Sequence, residues 1–99
     1  MPFVLTAKAV DDLKEIGRYT QKTWGVAQRN KYLQMLDDGF HELADDPQRG
    51  LDCRDVREGY RKLKVGRHVI FYRLKQNQLV EIVRVLHEKM DFDTHLNLN

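Results

Sequence analysis

The chain has 99 residues, 41% of them hydrophobic and 32% charged, with 17 Lys and Arg against 15 Asp and Glu. This length predicts a single domain over residues 1–99, and no apolar run approaches the roughly 18 residues of a membrane span. The first residues lack the basic region and long apolar stretch of a signal peptide, and the one cysteine, Cys53, cannot form an internal disulfide. We therefore expect a cytoplasmic protein with no membrane partner.

The first predicted elements are a short strand and a long helix. Residues 2–6 form a continuous apolar run of β-prone residues, and Thr6 is suited to be the N-cap of the helix that follows. From Ala7 onward, apolar side chains recur at helical spacing as far as Trp24, which predicts a helix with Trp24 as a core anchor. Gly25 is expected to end this helix.

A second helix is predicted from Ala27 to about residue 45. Its apolar positions recur at the spacing of one helical face: Tyr32, Met35, Leu36, Gly39, Phe40, Leu43 and Ala44. Pro47 then disfavours helix at the residue before it. The two helices therefore form a hairpin with apolar stripes that must pack against something else.

The second half of the chain predicts three strands in an antiparallel meander. A polar loop over 47–55 precedes strands over 56–64, 68–74 and 79–87, and residues 88–99 are expected to be a tail. The prediction is an α+β fold of order β-α-α-β-β-β, with the helical hairpin packed on one face of a small, twisted, mainly antiparallel sheet. We expect the other face to be open and to carry basic residues.

Positive charge is concentrated in residues 54–75, which hold eight basic and two acidic side chains, net +6. Such a segment suits an anionic partner, either a nucleic acid or an acidic protein segment. A cluster of Arg, Lys, Tyr and His could stabilise a phosphodiester transition state, and it could equally bind an acidic tail. No spacing typical of metal ligands or of a phosphate-binding glycine loop is present, so we expect no metal or cofactor.

The order and spacing of several motifs resemble the ParE branch of the RelE/ParE toxin superfamily, over nearly the whole chain. The motifs are Trp24-Gly25 and the runs VREGYRK at 56–62, GRHVIFYR at 66–73 and IVRVLH at 82–87. The resemblance implies the toxin of a type II toxin–antitoxin module that inhibits DNA gyrase, blocks replication and stabilises a plasmid or genome. It also implies a ParD-like antitoxin encoded in the same operon.

The RelE-like relatives are ribosome-dependent mRNA endonucleases on the same fold, and this alternative stays open. Those relatives place an arginine where this chain has Val69 and a catalytic tyrosine in the C-terminal segment, whereas no tyrosine follows Tyr72 here. We therefore expect a protein inhibitor without catalytic residues. In the endonuclease alternative, the acting residues would be Arg57, Arg61, Lys62, Arg84 and His87. A third alternative is a degenerate domain that only binds its antitoxin.

Two sets of contact residues are expected. The antitoxin is predicted to cover the hairpin side and the sheet, with its acidic side chains meeting Arg57, Tyr60, Arg61, Lys62 and Arg67. The gyrase-binding set lies at and after the end of the last strand: Arg84, His87, Lys89, Met90 and Phe92. The expected assembly is either a homodimer or a toxin–antitoxin hetero-oligomer.

Overall fold

The computed structural model describes residues 2–54 and 56–96, and of residues 93 and 94 the backbone alone. The helices and strands follow one another as β1 (Phe3–Leu5), α1 (Ala7–Trp24), α2 (Val26–Asp45), β2 (Leu51–Asp52), β3 (Arg61–Val65), β4 (His68–Leu74), β5 (Val80–His87) and α3 (Phe92–Leu96). The strands form one sheet in the order β1-β5-β4-β3-β2. β1 runs parallel to β5, and all other neighbours are antiparallel. The predicted α+β fold is confirmed.

Thr6 joins the first strand to the first helix. Its side-chain oxygen accepts a hydrogen bond from the Ala9 backbone N–H at 3.0 Å, as expected of an N-cap. The same hydroxyl donates to the Val83 carbonyl in β5 at 2.7 Å. The start of α1 is therefore attached to the sheet as well as capped.

Gly25 separates the two long helices. Its φ of 96° is a conformation that favours glycine, and its N–H donates to the Gln21 carbonyl. Behind this turn the helices pack closely, since a methyl group on Gly17 of α1 would lie 3.5 Å from Leu33 of α2. The hairpin is thus compact along its length and turns within a single residue.

One face of the sheet is covered by the hairpin. The fully buried members of this first core come from both helices and from the inner sides of β4 and β5: Ala9, Leu36, Leu43, Ile70, Tyr72 and Ile82. Phe40 of α2 is almost completely buried in the same cluster. A methyl group on Gly39 would come within 3.2 Å of Ile70, so glycine lets α2 approach the sheet closely.

The other face of the sheet is not open, and here the prediction is wrong. A second core covers it, made of Cys53, Tyr60, Val69, Phe71, Val83, Leu86 and Leu96, with Val56 and Phe92 packed against it. The physical reason lies in β4, whose apolar run is continuous and therefore points apolar side chains to both faces. The loop before β3 and the short helix α3 cover this second face.

Two further boundaries differ from the prediction. Residues 56–60 form turns instead of the first half of a strand, because Gly59 adopts a φ of 85° and Val56 N–H bonds back to Cys53. The predicted tail contains α3, and its residues 97–99 lie outside the described part of the chain. Within the part described, no helix is long and apolar enough to cross a membrane.

Trp24 is also placed differently from the prediction. It lies on the sheet-facing side of α1 by helical spacing, yet 70% of its surface is exposed. The last residue of α1 with a buried side chain is Thr20, so the helix continues beyond the sheet that it covers. Trp24 is not a core anchor because the core ends before it.

Candidate protein-interaction surface

The turn between β3 and β4 and the end of β5 meet at one end of the sheet. The Arg67 carbonyl accepts a hydrogen bond from the Glu88 N–H at 2.9 Å, and the His87 carbonyl accepts one from Met90 N–H. Arg67, Lys89 and Met90 are exposed and His87 is half-buried. These four residues are called the sheet-end surface below.

Glu88 is an acidic residue that pairs with two cations beside this surface. Its carboxylate lies 2.8 Å from the Lys64 ammonium and 3.8 Å from the Arg67 guanidinium. The hydrogen bond from Lys64 holds the pKa of Glu88 below its usual range. Glu88 therefore neutralises part of the positive charge here, and Lys89 remains the cation without a described carboxylate partner.

Two histidines and a tyrosine form a half-buried array next to the sheet-end surface. His68 and His87 lie opposite each other in adjacent strands with ring centres 5.3 Å apart. The Tyr32 hydroxyl accepts from Arg67 N–H at 3.0 Å and is hydrogen-bonded to His68 Nδ1 at 2.6 Å. Burial, and then the nearby His87, lower the pKa of His68 from 6.5 to about 4.

This array fits a structural role better than proton transfer. His68 is neutral at pH 7 and its Nδ1 is engaged by Tyr32, while His87 Nδ1 lies 3.2 Å from the Lys89 N–H. A group with a pKa near 4 is a weak base at neutral pH. The array joins α2 to the sheet end and fixes the backbone beneath Arg67 and Lys89.

Arg84, predicted to contact the target, is held inside the molecule. Its guanidinium makes two hydrogen bonds of 2.8 Å to the Asp12 carboxylate, and both side chains are less than 15% exposed. Asp12 also accepts from Val85 N–H, and Arg84 donates to the His95 carbonyl of α3. Arg84 therefore connects α1, β5 and α3.

Phe92, from the same predicted set, packs in the second core. Its ring lies edge-on against Phe71 with centres 4.9 Å apart. Arg57 lies 5.7 Å from the centre of the Tyr60 ring and donates to the Leu96 carbonyl at 3.3 Å. Tyr60 itself is buried. These three residues hold the cover of the outer face in place.

Arg61 and Tyr72 fix the loop before β2. Arg61 donates to the carbonyls of Gln48 and Gly50, and the Tyr72 hydroxyl donates to Pro47 and accepts from Gly50 N–H. A methyl group on Gly50 would clash with Tyr72 at 2.4 Å, so only glycine fits. Lys62, next to Arg61, is partly exposed on the outer side of the sheet.

The structure thus divides the ten predicted contact residues. Lys62, Arg67, His87, Lys89 and Met90 reach the surface, while Arg57, Tyr60, Arg61, Arg84 and Phe92 are engaged within the chain. Sequence reasoning missed Asp12, Tyr32, His68 and Glu88. Regular pairing of the last two strands from Leu74 and Val80 would place His68 opposite Leu86, and only the irregularity between Phe71 and Tyr72 brings it opposite His87. No local signal pointed to Asp12.

Comparison with known proteins decides the family. The family described as "ParE toxin of type II toxin-antitoxin system, parDE" matches residues 3–92. This chain is a member of the ParE toxin family. It is thus a ParE-type toxin of a type II toxin–antitoxin system.

The ParE-family relatives include Toxin ParE1 of Mycobacterium tuberculosis, which is 39% identical over 95% of this chain and 96% of that protein. Toxin ParE1 of Caulobacter vibrioides is 38% identical over 96% of this chain and 97% of its own length. The solved structure of a chromosomal ParDE toxin–antitoxin system from P. aeruginosa matches with a TM-score of 0.77. It covers 88% of this chain and 95% of that one at 21% identity, which supports the same fold.

Proposed function

We propose that this ParE-family chain inhibits DNA gyrase by direct protein contact, blocks replication in the cytoplasm, and is neutralised by a ParD-like antitoxin. The observation that carries the proposal is the family match over residues 3–92, together with relatives of the same length that are named as ParE toxins. Inhibition by contact requires an exposed surface and no proton-transfer machinery. The sheet-end surface meets that requirement.

The internal contacts of the chain favour contact inhibition over phosphodiester cleavage. Three of the five residues that would act in the endonuclease alternative, Arg57, Arg61 and Arg84, bind carbonyls or Asp12 within the protein. Val69 is buried in the second core, where a cation could not reach a substrate. Removing one general acid–base group typically reduces such catalysis by roughly 10²–10⁴-fold.

The sheet-end surface is the proposed gyrase contact. Met90 is an exposed apolar side chain flanked by Lys89 and Arg67, which is a common arrangement for an interface anchor within a basic rim. Arg84 and Phe92 contribute by fixing β5 and α3 behind it. Their effect on gyrase binding would be indirect, through the position of the backbone of β5 and α3.

The proposed antitoxin site lies next to this surface. Lys62 lies on the outer side of the sheet, and Arg67 is shared with the sheet-end surface. An acidic antitoxin segment that follows these cations would approach Met90 and cover it. Neutralisation would then follow from overlap of the two sites in a toxin–antitoxin hetero-oligomer.

The decisive experiment is a supercoiling assay with purified gyrase and purified toxin, with and without antitoxin. We expect inhibition by the toxin, relief by the antitoxin, and weaker inhibition by Lys89→Glu and Met90→Ala. Lys75→Glu, an exposed charge change in the loop before β5, is the matched control. Point variants are used because removing the last residues would also strip Phe92 and Leu96 from the second core.

Three results would contradict the proposal. Cleavage of mRNA on translating ribosomes by the intact chain would establish the endonuclease alternative. Absence of any growth defect on expression would indicate a degenerate domain. For the antitoxin site, Lys62→Glu should weaken toxin–antitoxin affinity more than Lys8→Glu, and equal affinities would refute that part.

A further inference from the structure

The tip of the helical hairpin extends beyond the sheet. Every residue from 21 to 28 is exposed, and the last buried side chain of α1 before them is Thr20. On α2, the first described hydrogen bonds to the sheet are made by Tyr32, to Arg67 and His68. The underside of this tip therefore has no strand beneath it.

Large apolar side chains are concentrated on the tip. Trp24 is 70% exposed, Tyr19 68% and Val26 50%. A single exposed apolar residue is ordinary on a protein surface, but Trp24 and Val26 lie on either side of Gly25 at the tip, and Tyr19 lies just before the tip on α1. Trp, Tyr and Arg are the residue types that most often dominate the binding energy of protein interfaces.

The charge around these side chains has one sign. Residues 14–31 carry five basic groups and one acidic group, whereas residues 37–46, the end of α2 and its C-cap, carry five acidic groups and no Lys or Arg. Arg18 pairs with Glu15, and Arg29 binds the amides of Gln21 and Asn30. Within the described contacts Lys14, Lys22 and Lys31 have no carboxylate partner, so the tip has a net positive field.

The tip lies at the same end of the molecule as the sheet-end surface. Tyr32, six residues after Val26, binds Arg67, whose carbonyl in turn binds Glu88 next to Lys89. Six residues of helix span about 9 Å. The apolar tip and Met90 thus lie on either side of the array formed by Tyr32, His68 and His87. Both could be covered by one protein interface of standard size.

We propose that the hairpin tip is a second docking surface for the target protein, and that it takes an acidic surface with an apolar pocket that admits Trp24. This inference rests on the proposed function and adds a second contact area beside the sheet-end surface. Charge complementarity gives the acidic character of the partner. A protein is favoured over a DNA backbone because phosphate contacts would leave Trp24 and Val26 exposed, whereas an apolar pocket buries them.

The test compares Trp24→Ala with Leu51→Ala in the gyrase supercoiling assay. Leu51 is equally exposed, at 70%, but lies in β2 at the far edge of the sheet. We expect Trp24→Ala to raise the inhibitory concentration by about 10- to 30-fold, as truncating an interface anchor does, and Leu51→Ala to leave it unchanged. Trp24→Phe should restore most of the activity, and Lys22→Glu should slow association.

The Trp24 variants allow loss of binding to be separated from loss of folding. Trp24 is exposed, so the variant should keep the wild-type melting temperature, and Trp24→Phe distinguishes loss of the aromatic contact from misfolding. Unchanged inhibition by Trp24→Ala, loss of antitoxin affinity without loss of inhibition, or a loss explained by weaker binding to DNA alone would overturn the inference. If the wild-type chain does not inhibit gyrase, the proposed function itself fails.

Discussion

The two faces of the sheet are covered in contrasting ways. The inner face lies under 38 residues of α1 and α2, whose side chains interlock with β4 and β5 in the first core. The outer face lies under a turn-rich loop and the five residues of α3, attached mainly through Phe92, Leu96 and the bonds from Arg57 and Arg84. Because stability is not uniform across a domain, the inner face should define the fold and the outer face should open first.

Phe40→Ala in the first core is the most direct test of whether the inner face defines the fold. Truncating a fully buried phenylalanine costs about 3–5 kcal/mol, a large part of the roughly 5–15 kcal/mol that stabilises a small domain. We expect loss of soluble protein or a large fall in the urea midpoint. Met35→Ala, on the same helix but exposed, should change little. A folded Phe40→Ala protein with a near-wild-type midpoint would contradict the assignment.

Asp12→Ala tests the ion pair between Asp12 and Arg84, which connects α1 to β5 and α3. The substitution leaves the Arg84 guanidinium and the Val85 N–H without their acceptor. A fully buried broken pair costs about 3–5 kcal/mol, and because this one keeps some exposure we expect about 2–3 kcal/mol. Asp11→Ala, its exposed neighbour, is the control for chemical denaturation. Equal free energies of unfolding for the two variants would show that the Asp12–Arg84 pair does not stabilise the fold.

Phe92→Ala tests the outer face. The ring is only partly buried, so we expect about 1–2 kcal/mol, less than for a core phenylalanine. The loss should be local. Hydrogen exchange should accelerate at α3 and the end of β5, while amides of α2 keep their protection. A loss spread evenly over the whole chain would mean that the two faces unfold as one unit.

The smallest effect is expected on lowering the pH from 7 to 6, where only the first part of the His68 titration occurs. His68 has a pKa of 6.5 when unfolded and about 4 when folded, so the unfolded state binds a proton first as the pH falls. Stability from this group is complete above pH 6.5 and declines as the pH falls towards 4. His68→Asn, whose amide can still form a hydrogen bond with Tyr32, should flatten the pH dependence of the unfolding free energy over this window. An unchanged slope in His68→Asn would refute the assignment.

The sequence predicted the elements whose signals are local. Helical spacing located both long helices, and β-prone runs located β4 and β5. The predicted strand over 56–64 was too long, because Gly59 lies in a turn that lets Tyr60 and Val56 fold over the outer face. Periodicity placed Trp24 on the right side of α1 but could not show where the sheet beneath it ends.

The interaction residues were harder to predict, because the sequence does not show whether a basic side chain is paired within the folded protein. Arg84 is bound by Asp12, 72 positions away, and Arg61 by carbonyls of an irregular loop. Such contacts depend on the tertiary arrangement and leave no periodic trace. Of the residues that reach the surface, Lys89 and Met90 lie in the turn after β5, whereas Lys62 lies within β3 with its side chain on the outer face.

Asp12 also determines on which side the sheet can grow. β1 pairs only with Val80, Glu81 and Ile82, so the rest of β5 would present an open edge to a strand from another chain. The Asp12 carboxylate occupies the Val85 N–H and the Thr6 hydroxyl occupies the Val83 carbonyl, which blocks unwanted strand addition there. At the opposite edge β2 pairs only with Arg61 and Lys62, so Lys64 lies beyond it. A chain that extends this sheet would therefore add beside β3, whereas strand addition at β5 is opposed by Asp12 of α1 together with the N-cap residue Thr6.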